Sequence, residues 1–550
     1  MKYSFKKLFT LATTTGILFA AHAQYPTIPA DVQRSSDSLL EAARIHSDKA
    51  WAEALPVIDA EAKKGKPYVP WASRPDELPQ AEVPAFPGAE GGGKYSFGGR
   101  GGKVIVVTNL NDDGPGSFRW AVEQGGARVV VFNVAGIIRI KTPVIIRAPY
   151  ITIAGQTAPG DGVCIAGESV WINTHDVIIR YMRFRRGETW VGRRDDAIGG
   201  NPIGNIMIDH VSASWGLDEN MSMYRHMYND STGKIEDKFP TVNITIQNSI
   251  FAEALDTWNH SFGSTLGGEN CTFMRNLWAN NTGRNPSVGW NGIFNFVNNV
   301  VFNWVHRSMD GGDYRAQFNV INNYFQPGPS TPRDNNVGHR IVKPESGRSK
   351  LKYKVYGRVY ANGNIMEGYP AVTKDNWNGG VQVEELPNAG EYTAYMKVDK
   401  PLPMPAISIV SADDAKKYVL DNAGATLPKR DAVDLRITKQ VRTGKIDYIE
   451  GVKLPTTQFE HRRAPIDSYK KGIITDPAQV GGYPEYKGTP YKDSDNDGMP
   501  DDYEKKNGLN PNNSADASQV SKGKTYTNIE EYLNSVVPVQ NVTPTPLKGF

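Results

Sequence analysis

From Phe86 onward the chain is written in short apolar runs separated by polar or Gly-rich loops. They read KVIVVTNL, RVVVFNVAGIIRI, VIIRAPYITIAG, DVIIRYMRFRRG, NIMIDHVSASW, NITIQNSIFAE, CTFMRNLWANN, FNFVNNVVFNW, FNVINNYFQPG and VYANGNIMEG. β-Branched and aromatic residues dominate them, and each is too short for a buried helix, so they predict strands. Aligned, they form pairs of strands around a polar pivot. The pivots Asn248, Asn276, Asn299 and Asn323 are 28, 23 and 24 residues apart. Asn364 follows at a longer interval, and Asp209-His210 holds the equivalent place upstream. An all-β repeat of this period predicts a parallel β-helix. Stacked Asn side chains would satisfy one another's amides between coils, whereas a sandwich or barrel has no period with a stacked polar residue.

The flanks differ in texture. Residues 1–23 read as a secretory signal: Lys2, Lys6 and Lys7, an apolar stretch from Leu8 to Ala20, and the Ala21-His22-Ala23 cleavage site. Residues 24–85 carry helical periodicity in SSDSLLEAARIHSDKAWAEAL, with Ser38 and Glu41 fitting a capping box at its start, and then Pro-rich linker. The solenoid is expected over 86–370, a region wrapping its flank over 371–480, and a small module with a tail over 481–550. In that module DSDNDGMPDDYE matches a calcium loop, with Asp493, Asp495 and Asp497 at positions 1, 3 and 5 and Gly498 at 6. Asp501 takes position 9 and Glu504 position 12.

The net charge of +3 falls to about zero once the three signal lysines are removed, which argues against a nucleic-acid binder. Two cysteines, Cys164 and Cys271, in so long a secreted chain imply a large core rather than a disulfide framework, and two buried thiols are expected. No other stretch is apolar for long enough to span a membrane. Charge concentrates instead between Tyr181 and Met223. Glu188, Asp195, Asp196, Asp209, Asp218 and Glu219 lie there with five arginines and His210, beside apolar strands. Such a cluster on a rigid β scaffold is the candidate site.

Several ordered motifs resemble polysaccharide lyase family 1, the pectate lyases: AFPGAEGGGKYSFGGRGGKVIVVTNLNDDGPGSFRWAV, ITIAGQTAPGDGVCI, VIIRYMRFRRG, NIMIDHVSASWGLDEN and NLWANNTGRNP. The resemblance spans roughly residues 85–330. It implies a right-handed parallel β-helix whose groove binds an acidic pectic polysaccharide, with Ca2+ bridging protein and substrate carboxylates, in a secreted protein expected to be monomeric. By position it implies Asp196 and Asp218 as calcium ligands, with Glu219 beside them, and Arg284 of GRNP as the catalytic base. It further implies that Asp209-His210 organises the coil beside the metal.

This chain departs from that pattern. Arg194 and Ser222 stand where further carboxylate ligands are expected. The two later arginines of the R-x-P-R-x-R run are Ser287 and Gly289, and Gly263 lies near the place of an expected lysine. Substrate-gripping groups are therefore sought in His260, Arg186 and Trp215, with Arg185, Arg275 and Arg307 as other cations and Trp190, Trp258 and Trp290 as other aromatics. Two other functions are weighed: a non-catalytic pectic-glycan-binding β-helix, and a hydrolase using Asp195-Asp196. The hydrolase order of motifs is absent, because Arg139 to Lys141 precedes the acidic pair and no GHG occurs.

Overall fold

The computed structural model describes residues 28–187, 193–229, 236–346, 355–383, 389–454, 462 and 464–538. The expected signal at 1–23 and Trp190 lie outside these residues. The predicted runs pair in parallel, forming one sheet of ten strands, one of nine and a third split into two four-stranded halves. Each complete coil contributes one strand to each sheet. Coil 1 comprises Arg128–Phe132, Gly136–Arg139 and Val144–Ile146, and seven further complete coils follow to Val342–Pro344. The result is a parallel β-helix.

Alternation explains the stack. In Val242–Gln247, Ile244 and Ile246 point into the core, and Thr245 points out to accept from the Gly93 amide at 2.9 Å. In-register pairing then piles like on like: Ile206, Ile244, Cys271, Phe294, Phe318 and Val359 form one inward column. Both cysteines are buried and free, as expected for core thiols. The Gly-rich stretch after Ala89 lies across the outer face of the first sheet. A Cβ on Gly92 would sit 1.7 Å from the Asn270 carbonyl oxygen, so only glycine permits that approach.

The corner between the first and second sheets is built from left-handed residues: Tyr181, His210, Asn248, Arg275, Asn298 and Asn322, with φ between 50 and 57°. This shifts one pivot by a residue. Asn248 occupies the corner with Arg275, and Ser249 holds the register of Asn276. The amide ladder runs Asn276, Asn299, Asn323, Asn364 and Asn376, each side chain donating to the next at 2.8–3.1 Å. Asn tolerates both neighbouring positions, so spacing alone does not separate them. Asn299→Ala removes the acceptor of the Asn276 amide and the donor to the Phe273 carbonyl. Each orphaned buried group costs about 1–3 kcal/mol, so chemical denaturation is expected to show a loss of about 3 kcal/mol.

The N-terminal segment is one helix, Ala30–Ala62, which contains Ser38 and Glu41 rather than starting there. Nothing between Pro29 and Leu55 breaks the ladder, so the helix extends back to Pro29 and the capping box is not used. It docks on the first coils through Arg147 to Asp48 at 2.6 Å and the Ala127 amide to Glu61 at 2.8 Å. Past the solenoid, helices Ala412–Asn422 and Ala432–Thr443 cover the outer face of the second sheet, burying Ile250, Leu277 and Phe302 beneath Val419, Val433 and Val441.

Candidate active site

The third sheet splits between coil 4, ending in Met221–Ser222, and coil 5, ending in Thr265–Leu266. Between Ser222 and the next first-sheet strand a hairpin is inserted, Arg225–Asn229 paired with Glu236–Pro240. A cavity of about 430 Å³ opens at this break, lined among others by Asp196, Asp218, Glu219, Ser222, Arg225 and Arg284. These side chains come from equivalent points on successive coils, where the chain enters the third sheet. Asp196 stands before Ile198–Gly200 on coil 3, Asp218 and Glu219 on coil 4, His260 and Phe262 on coil 5, and Arg284 before Ser287–Val288 on coil 6. Parallel bridges from Glu219 to Phe262 and from Phe262 to Gly283 keep these rungs in register. Coil spacing of about 4.8 Å therefore brings residues some sixty positions apart into one site.

Asp196, Asp218 and Glu219 each offer a carboxylate oxygen within 4.8 Å of the others. The Glu219 amide donates to Asp196 Oδ1 at 3.1 Å, fixing the two loops to each other. Ser222 donates to Glu219 Oε2 at 2.8 Å and Thr265 to Oε1 at 2.6 Å, while Arg284 forms an ion pair with Oε1. The Arg284 guanidinium lies 4.7 Å from the Phe262 ring centre. Fully buried His260 pairs with the Asp218 carboxylate, so it positions an acid rather than facing the groove.

The electrostatics follow from this packing. Burial, then Glu219 and Asp218, pushes Asp196 well above the carboxylate range. For Asp218 burial acts upward but is outweighed by His260, then Arg284 and Arg194, and its carboxyl is held low. Burial acts to lower Arg284, but Glu219 and then Asp218 overcome it and hold the guanidinium charged. Three carboxylates and the Ser222 and Thr265 hydroxyls bring oxygen atoms to one side of the cavity, faced by Arg284 and Arg225. Such a donor set fits a hard divalent cation, and Ser222 keeps an oxygen beside it despite carrying no charge.

Other expected contributors fall elsewhere. Arg186 is fully buried, bonding Asp195 at 2.8 Å and lying 3.3 Å from Glu168, so it braces the Asp195-Asp196 loop rather than gripping a ligand. The second Asp195 oxygen is taken by Arg193 at 2.9 Å, which leaves Asp195 unsuited to acid–base work. Trp215 is also fully buried, against Tyr483, and donates to Glu253 at 3.3 Å. Trp215 lies on the outer side of the second sheet, which the C-terminal region covers, while Arg186 turns into the loops between the second and third sheets. Asp209 and His210 lie at the first corner, on a separate cavity of about 820 Å³. There Asp209 bonds Arg180 at 3.1 Å and His210 stacks on Tyr181 with ring centres 4.6 Å apart. They hold the coils together and do not join the groove.

In the C-terminal loop Asp493, Asp495 and Asp497 converge, and Glu504 meets Asp497. Asp501 does not: its carboxylate accepts the Ser494 amide at 2.8 Å and hydroxyl at 2.9 Å, and pairs with Lys492 at 2.7 Å. It serves as the helix-start acid of Asp501–Asn507, a position where loop consensus and helix capping ask for the same residue. Motif reading passed over Thr265 and Arg225, whereas Arg307 was among the expected cations. Arg307 lies 4.7 Å from the other partner of the site, the Phe262 ring, and bonds Asp310 at 2.9 Å. Coil spacing from Arg284 to Arg307 is the signal that locates it.

The site is an open charged cleft crossing the rungs of a parallel β-helix. No protein-family model matches the chain. It is 36% identical over 469 residues to "Probable pectate lyase C" of Aspergillus flavus, a match covering 82% of this chain and 94% of that one. It is 35% identical over 467 residues, with the same coverage, to the protein of that name from Aspergillus fumigatus. The crystal structure of jun a 1, the major allergen from cedar pollen, aligns at a TM-score of 0.41 and 17% identity, over 61% of this chain and 92% of that one. The chain belongs to the pectate lyase family and is a polysaccharide lyase.

Proposed function

We propose that this protein cleaves an acidic pectic polysaccharide by calcium-assisted β-elimination, releasing unsaturated oligogalacturonides outside the cell. The relatives' name supports the substrate and the reaction. The observation that carries the chemistry is the alignment of Asp196, Asp218–Glu219 and Arg284 on coils 3, 4 and 6. Asp196, Asp218 and Glu219 would hold the groove calcium. When bound, that ion neutralises the carboxylate beside the carbon losing its proton, where negative charge would otherwise accumulate.

This chain's own groups supply the rest. Arg284 is the catalytic residue: stacked near Phe262 and reaching into the groove, it acts at the proton being removed. Its pairing with Glu219 opposes base action, and engagement of Glu219 by a cation lifts that opposition. His260 positions Asp218, and Thr265 with Ser222 orients Glu219. Arg225, which lines the cavity, and Arg307, which shares the Phe262 ring with Arg284, are the replacements for the missing substrate-binding cations. Asp493, Asp495, Asp497 and Glu504 would bind a second calcium with a structural role. No helix among the described residues is long and apolar enough to cross a membrane.

Incubation with de-esterified and methylated pectins, with and without a calcium chelator, tests this reading. The ultraviolet absorbance of the unsaturated product is expected to rise and to be abolished by the chelator. New reducing ends without absorbance would mean hydrolysis, and binding with neither would mean a non-catalytic glycan binder.

A further inference from the structure

The C-terminal module meets the strands that open the solenoid on the outer face of the first sheet. Met499, Ala517, Ile529, Tyr532 and Leu533 pack over Val106, Val129, Val131 and Ala154, the outward residues of the strands that open the solenoid. The contact is close at the acidic loop itself, since a Cβ on Gly498 would lie 2.5 Å from Val131 Cγ2. Polar ties frame it. Arg100 bonds Glu530 at 2.9 Å, and the Asn133 side chain and Tyr491 backbone exchange hydrogen bonds of 2.9 and 2.8 Å.

Beside this contact sits a knot of acids, and among the described residues no ion pair to it is formed. Asp497, Glu504 and Asp516 offer oxygens within 4.8 Å of one another, continuous through Asp497 with Asp493 and Asp495. Glu504 is 0% exposed and Asp497 1%. Among the described residues, both oxygens of Glu504 and of Asp495, Oδ2 of Asp497 and Oδ1 of Asp516 are buried without a hydrogen-bond partner. Buried carboxylates left unpaired are destabilising unless a cation accepts their lone pairs. Five acids, all oxygen donors, on an irregular loop suit calcium better than the smaller, strictly octahedral magnesium.

Asp516 is not part of the loop motif. It comes from the connection before helix Asn528–Ser535, where its carbonyl accepts from Asn528 at 3.0 Å and the next residue, Ala517, is seated on the first sheet. An ion shared by Asp497, Glu504 and Asp516 would therefore tie the loop to the very segment that touches the solenoid. We propose that Asp493, Asp495, Asp497, Glu504 and Asp516 bind one calcium ion that staples the C-terminal module onto coils 1 and 2, making the order of the N-terminal end of the solenoid calcium-dependent. This role is separate from the groove: the groove acids lie on coils 3 and 4 at the third sheet.

Calcium titration by calorimetry and hydrogen exchange of the full chain tests the proposal. In the unaltered protein, chelation is expected to raise exchange in residues 104–107, 129–132 and 528–535, well beyond any change in the coil 5 to 8 strands. Asp516→Asn is expected to weaken one calcium site by about tenfold or more and to remove the calcium-dependent rise in Tm, while Asp501→Asn leaves that site within about threefold. Unchanged exchange on chelation overturns the proposal whether or not the variants fold. So does an Asp516→Asn protein with unaltered calcium affinity, or loss of the site in Asp501→Asn.

Discussion

Arg284→Lys is expected to lower kcat on de-esterified pectin by about a thousandfold, with KM changed only a few-fold. The guanidinium is planar, lies 4.7 Å from the Phe262 ring centre and pairs with Glu219, which Thr265 and Ser222 already hold in place. An ammonium on a flexible stem keeps the charge but loses the fixed direction, so the ground state survives while the geometry at the reacting carbon does not. Folding is expected to hold because Lys still offers Glu219 a cation. Initial rates from product absorbance, with Tm measured alongside, check this. A variant within tenfold of the original rate would remove Arg284 from the chemistry and move attention to Arg225 and Arg307.

The largest stability effect is expected far from the groove. Arg185 is fully buried on the second sheet and bonds Asp431 at 2.8 Å, Asp434 at 3.0 Å and the Ser214 hydroxyl at 3.0 Å, while Tyr486 donates to Asp431 at 2.7 Å. This cluster fastens helix Ala432–Thr443 over the coils. Asp434→Leu strips Arg185 of one counter-charge in a dry interface, and such a loss costs about 3–5 kcal/mol. Combining it with Arg185→Met is expected to cost less than the two single changes added together, because the charge that was left unpaired is gone. Denaturant unfolding of the three variants measures this. Simple additivity would mean that the cluster does not act as a unit.

These two sites differ in how far the sequence exposes them. The Arg284 site lies on one continuous run of coils, so a period of about 23–28 residues converts chain distance into height along the solenoid. Asp196, Asp218, Glu219 and Arg284 could therefore be placed together from spacing and motif resemblance. Arg183 and Arg185 alternate with inward Phe184 and so face outward, while Trp215 turns onto the outer face at a left-handed corner just past its strand. Outward residues of a solenoid face water only if nothing covers them. Here the cover is supplied by residues near 431–434 and 483–486, some 250 positions later in the chain. Trp215 is thus buried against Tyr483, while Arg186 and His260 are taken up by acids of neighbouring coil loops, Asp195 and Asp218.

The acidic loop shows the same division. Its motif supplies Asp493, Asp495, Asp497 and Glu504 because calcium ligation imposes fixed offsets on a turn. Asp501 satisfies the pattern equally well but is claimed by Ser494 and Lys492, and Asp516 enters from outside the pattern. By itself, then, the sequence determined the solenoid, the order of its rungs and the carboxylates and arginine of the groove. Each of these depends on local alternation and on a repeat that pairs neighbours in register. Only the tertiary structure decided which outward residues stay in water and which acids close around a common centre. Those outcomes depend on where distant flanking segments come to rest, and neither periodicity nor a local motif encodes that.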